Sequence, residues 1–118
     1  MSRAENSINY IELPMTDPEP VIMFYETVFG WHFQRWGADY ISFEGAGIDG
    51  GFNGQDKLLV SKPGTLVILY SKELEKKRDQ IKAAGGKIIR DIYPFPGGRR
   101  FHFEDPAGNE LGVWSEKA

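Results

Sequence analysis

His102 is the residue of this chain best placed to move a proton. An imidazole titrates near neutrality without help, so it can give and take a proton at working pH. It sits in the segment Gly98-Arg99-Arg100-Phe101-His102-Phe103-Glu104, eight residues before Glu110. If the five residues between Glu104 and Glu110 form a hairpin loop, His102 stands opposite Gly112 on the inward face. A slip of one residue turns it away. The other reading of His102 is a strand histidine packed on an aromatic neighbour. Arg100 shares its face by alternation and has the fork geometry for a carboxylate or phosphate. Alternatively, the arginine pair opens a solvated hairpin.

The residue spacing does not signal a metal site. A His/carboxylate centre takes at least three convergent side chains and an open position. Only two histidines are present, His32 and His102. A set of His102, Glu110 and Glu12 is conceivable, but no spacing signals it. The expectation is therefore no metal and no cofactor. With no cysteine, disulfide scaffolds, thiolate zinc sites, iron–sulfur clusters and thiol nucleophiles are excluded. The glycine pairs lack the strand–GxGxxG–helix context of a dinucleotide site. No Ser-His-Asp arrangement is evident.

The elements that must hold these residues follow from length and patterning. A chain of 118 residues is expected to make one domain, 1–118. Its net charge of −3 argues against nucleic acid as a partner. The one basic run, Lys76-Lys77-Arg78, is flanked by acids and reads as a solvated helix face. The longest apolar run, Leu66 to Tyr70, is far too short to span a bilayer, and the N-terminus is polar. A cytoplasmic protein with no membrane partner is expected.

The order of elements repeats. A strand at about 8–13 precedes a helix that Asp17 caps, Pro18 opens and Gly30 stops, with Val21, Phe24, Tyr25 and Val28 at helical spacing. Strands are predicted at 31–36, 40–43 and about 48–53. The second half runs strand 66–70, helix 72–84 with Ser71 as cap, then strands 87–92, 99–104 and 110–115. This gives two βαβββ modules, 7–54 and 63–116, joined by a linker at about 54–64, in an α+β fold.

Alternation along the strands sorts the side chains. Ile11, Leu13, Val67, Leu69, Leu111 and Val113 form the helix-side core. The opposite face collects Tyr10, Glu12, Tyr70, Glu110 and Trp114, which suits a pocket with aromatic walls and few polar groups, or else a solvated sheet face. Tyr40, Phe52, Trp31 and Trp36 are further wall candidates, with Trp31 more often a packing residue. Gly50-Gly51 before Phe52 allows close approach of a ligand or marks a bulge.

Two segments resemble a known family. They are Ile8-Asn9-Tyr10-Ile11-Glu12-Leu13-Pro14, with Thr16-Asp17, Phe24-Tyr25 and Phe29-Gly30-Trp31, and the closing Phe101-His102-Phe103-Glu104-Asp105-Pro106-Ala107-Gly108-Asn109-Glu110-Leu111. Both look like the vicinal oxygen chelate superfamily, the glyoxalase, bleomycin-resistance and extradiol-dioxygenase group. The Asp-Pro-x-Gly-Asn turn is the most specific piece, and the resemblance covers nearly the whole chain. It implies two modules whose mixed sheets curl into a cup, and a homodimer as the usual assembly. It also implies metal ligands on four inward strand positions, here Tyr10, Leu66, Gly112 and about Gly51. None of these is His, Glu or Asp.

The functional expectation is a small organic molecule bound in an aromatic cup without a metal. The ligand-binding candidates are Tyr10, Glu12, Phe52, Tyr70, Arg100, His102, Glu110 and Trp114. The alternatives are a glyoxalase-like lyase or isomerase using His102 or a non-standard metal site, and a dimerisation or regulatory module.

Overall fold

A computed structural model describes residues 5–55 and 64–116, which divide between two units, Met1–Leu59 and Val60–Ala118. Most of the expected linker, residues 56–63, lies outside the described residues.

The first unit runs β1 (Tyr10–Pro14), α1 (Pro18–Phe29), β2 (His32–Arg35), β3 (Tyr40–Glu44) and β4 (Asp49–Asn53). Helix α1 begins where local chemistry dictates. The Asp17 side chain accepts from the Glu19 N–H at 3.2 Å, and Pro18 occupies the first turn, where a missing N–H costs nothing. It ends at Gly30, whose φ of 72° is a left-handed cap that glycine adopts without strain. The sheet order is β1-β4-β3-β2, with β1 parallel to β4 and the other pairs antiparallel.

The second unit repeats this plan with β5 (Val67–Tyr70), α2 (Leu74–Ala83), β6 (Lys87–Phe95), β7 (Gly98–Glu104) and β8 (Glu110–Ser115), in the order β5-β8-β7-β6. Each unit is thus a four-stranded mixed sheet with one helix. Helix α2 starts two residues later than expected. Ser71 does not cap it; its hydroxyl accepts from the Glu73 N–H at 3.3 Å in a turn just upstream, and Glu73 takes the cap position without a side-chain bond. Strand β6 runs on to Phe95, beyond the expected end at Ile92. Pro94 is tolerated there because β6 is an edge strand.

Of the residues predicted for the helix-side core, Leu111 and Val113 are fully buried, whereas Ile11, Leu13, Val67 and Leu69 on the edge strands β1 and β5 are half-buried. In the second unit, Leu74, Ile81, Phe101, Phe103, Leu111 and Val113 are fully buried. In the first, the core is built of rings. Trp31 stacks on Tyr25 and on Phe43, each with centroids 4.6 Å apart, and Phe52 packs 5.3 Å from Tyr25 and 5.8 Å from Phe43. Much of the high aromatic content therefore serves packing.

Phe52 corrects one expectation. The sequence pattern puts it among the ligand-binding residues, yet it is 0% exposed and packs against Tyr25 of α1. Its register partners Leu13 and Ile41 show why: the helix side takes Phe52, and Gly51 faces the other way.

Candidate functional site

The face of each sheet away from its helix carries a hydrogen-bonded cluster, and the two are different in kind. In the first unit, Glu12 and Gly51 are register partners on β1 and β4. The Tyr40 hydroxyl donates to Glu12 Oε2 at 2.9 Å, and Asn53 Nδ2 donates to Glu12 Oε1 at 3.0 Å. Tyr10 and Tyr40 share a hydrogen bond of 2.6 Å. Since the Tyr40 proton is spent on Glu12, Tyr10 is the donor. Partial burial and then its bonds to Tyr10 and Glu12 push the Tyr40 phenol well above its ordinary pKa. The tyrosines also fill the space beside Gly51. A Cβ there would lie 2.5 Å from the Tyr40 hydroxyl and 2.8 Å from that of Tyr10. The close approach at this glycine is made by the chain's own side chains.

In the second unit, His102 stands opposite Gly112 across β7–β8, and Ile68 lies beside Gly112 on the parallel partner β5. His102 Nδ1 is 3.0 Å from Glu110 Oε2, and its Nε2 is 3.0 Å from the Tyr93 hydroxyl. Arg100 Nε donates to that same hydroxyl. For a neutral imidazole the contacts have one consistent order. Glu110 accepts from Nδ1–H, Nε2 accepts from the Tyr93 O–H, and the Tyr93 oxygen accepts from Arg100. His102 is 9% exposed, so this order is sheltered from water.

Beside Arg100 lies a cavity of about 260 Å³ lined by Ile68, Phe95, Arg100 and Trp114. Its walls are apolar except for the guanidinium. Tyr70 packs edge-on against Trp114 at 5.2 Å and donates its hydroxyl to Glu116. Arg100 differs from most arginines here. Arg35, Arg78 and Arg99 pair with Glu19, Asp91 and Glu75. Arg100 has no carboxylate partner among the described residues. Arg99, one position away, faces the helix side and reaches Glu75 on α2 at 2.6 Å. Alternation thus separates a paired arginine from an available one.

Of the expected site residues, Tyr10 and Glu12 lie together in the first unit. Tyr70, Arg100, His102, Glu110 and Trp114 share one face of the second. Three participants were not singled out from the sequence: Tyr93, Phe95 and Ile68. Register shifts in β6 between Ile88 and Arg90 and between Arg90 and Tyr93 bring Arg90, Tyr93 and Phe95 onto the face of His102 and Arg100. Simple alternation across residues 90–95 does not show this.

The four positions at which the resemblance implies metal ligands do not fit a metal. They bring one phenol, one leucine and two glycines. The Gly51 site is filled by Tyr10 and Tyr40, and a Cβ at Gly112 would meet His102 Cδ2 at 3.6 Å. Among the described residues no three His, Asp or Glu side chains converge. No helix among them is long and apolar enough to cross a membrane.

Comparison with known proteins gives the following. The family model Glyoxalase/Bleomycin resistance protein/Dioxygenase superfamily matches residues 7–113. No curated protein matches the sequence. Among solved structures, a glyoxalase/bleomycin resistance protein/dioxygenase family enzyme from Burkholderia phytofirmans superposes with a TM-score of 0.79 at 18% identity, covering 91% of this chain and 96% of that one. A glyoxalase-related enzyme from Fulvimarina pelagi gives 0.78 at 19%, covering 93% and 88%. The fosfomycin resistance protein FosX from Listeria monocytogenes gives 0.78 at 19%, covering 95% and 94%. Likeness at this identity carries the fold and leaves the activity open.

Proposed function

The chain belongs to the Glyoxalase/Bleomycin resistance protein/Dioxygenase superfamily, and from that premise we propose that it binds a small aryl-bearing organic anion on the sheet of its second unit, without a metal. The observation that carries the reading is Arg100. A half-buried guanidinium with no acidic partner among the described residues borders a cavity walled by Ile68, Phe95 and Trp114. Its Nε is held by Tyr93, which leaves the terminal N–H groups for a ligand's carboxylate. The volume, about 260 Å³, suits a ligand of roughly one ring and its substituents. Metal independence is supported by the donor set at the family's ligand positions.

The test is a titration of tryptophan fluorescence with benzoylformate in the presence of EDTA. Saturable quenching that Arg100→Ala weakens by about 10-fold or more, with Arg99→Ala unchanged, is expected for a lost charge-assisted pair. No saturable signal in the parent protein contradicts the reading. The same reading has the chain act as a cytoplasmic homodimer, in keeping with the family's usual assembly and with the exposure of Ile8 and Met23. A monomeric mass by light scattering at micromolar concentration contradicts that part.

A further inference from the structure

We propose that Tyr93, backed by His102 and Glu110, is a metal-free acid–base group that takes a proton from the enolisable carbon of an aryl 2-oxo acid held on Arg100. The inference rests on the pocket reading above and extends it to a reaction.

Its basis is the direction of the hydrogen bonds. Glu110 fixes the imidazole with its proton on Nδ1, so Nε2 is left as an acceptor, and the acceptor faces the Tyr93 hydroxyl at 3.0 Å. A carboxylate, an imidazole and a hydroxyl in that order are the parts by which an enzyme moves a proton off an oxygen. The oxygen is also set among cations. The Arg90 guanidinium lies 3.5 Å from the Tyr93 ring centroid, that of Arg100 lies 5.5 Å from it, and Arg100 Nε reaches the hydroxyl itself. Negative charge that gathers on the oxygen during transfer is met by groups already in position.

The substrate class follows from Arg100, which lines the apolar cavity and whose Nε holds the Tyr93 hydroxyl. The apolar walls take an aryl ring, and the free end of Arg100 takes a carboxylate. A carbonyl beside that carboxylate makes the following C–H acidic and puts its oxygen near the same guanidinium. In the step, the Tyr93 proton passes to His102 Nε2 and the C–H proton passes to the Tyr93 oxygen. The C–H electron pair becomes the new carbon–carbon π bond, and the carbonyl π pair moves onto oxygen, where Arg100 meets the charge. The imidazolium, held by Glu110, releases its extra proton to water. No electrons are exchanged and no co-reactant is needed.

The experiment uses two probes in EDTA-containing buffer. Phenylpyruvate has an enolisable benzylic carbon, and benzoylformate has none. Binding of both is measured by fluorescence, and benzylic exchange in D2O by proton NMR against the buffer rate. The expected result is exchange above the buffer rate that falls by about 100-fold or more in Tyr93→Phe, as for loss of a general base. Exchange is compared at saturating phenylpyruvate, so weaker binding from the lost Arg100–Tyr93 bond is kept apart from loss of proton transfer, and an unfolding midpoint close to the parent's shows that the variant is folded. Binding of both probes with exchange at the buffer rate, or exchange that survives Tyr93→Phe, overturns the proton transfer and leaves the pocket reading standing. Failure of both probes to bind the parent protein overturns both.

Discussion

His102 Nδ1 lies 3.0 Å from the Glu110 carboxylate, and this one contact decides which imidazole nitrogen faces Tyr93. Glu110 is eight residues from His102 in sequence but only a short hairpin away in space. The turn is held by Asp105, whose Oδ1 accepts from the Ala107 and Asn109 N–H groups at 2.9 and 2.8 Å. Gly108 takes the positive φ, 92°, that the loop needs.

The contact predicts a single neutral tautomer at His102. Nitrogen-15 NMR should show Nδ1 protonated and Nε2 unprotonated above the range in which imidazole takes its second proton. Glu110→Ala should give a mixture of the two tautomers. A parent spectrum with the proton on Nε2 would contradict the assigned network.

Removing the Phe52 ring should cost stability and nothing at the ligand site. The side chain is fully enclosed by Tyr25, Phe33 and Phe43. Phe52→Ala should lower unfolding free energy by about 3–5 kcal/mol. Denaturant unfolding checks this. A loss under about 1 kcal/mol would return Phe52 to the surface.

The Tyr40 phenol predicts alkaline instability. Burial and the bonds to Tyr10 and Glu12 raise its pKa in the folded chain, so folding favours its protonated form. That stabilisation is complete below the ordinary phenol pKa of about 10 and is lost as the pH rises from there toward the folded-state value. Tyr40→Phe should flatten the fall in unfolding midpoint between pH 9.5 and 11.5 (roughly one unit either side of the free phenol). An unchanged slope would mean that another group titrates.

What was legible in the sequence was local. Asp17, Pro18 and Gly30 mark α1 through bonds made within a few residues, and the Asp105 turn marks the last hairpin the same way. The register of that hairpin then puts His102, Glu110 and Arg100 on one face. What was not legible depends on events across strands. Phe52 follows two glycines, where a side-chain pattern has no memory of which face it is on. Tyr93 reaches the site because β6 is irregular between Arg90 and Tyr93 and continues past Pro94. The Tyr10–Tyr40 bond joins residues 30 apart that meet only after β1, β4 and β3 have paired.

The central claim is binding of an aryl carboxylate without a metal, and calorimetry tests it most directly. The EDTA-stripped protein would be titrated with manganese, nickel, zinc and ferrous iron in turn, and with benzoylformate before and after each. The account predicts no stoichiometric metal binding and one-to-one benzoylformate binding that the metals leave unchanged. Tight one-to-one metal binding, or benzoylformate binding that appears only once a metal is added, would contradict it.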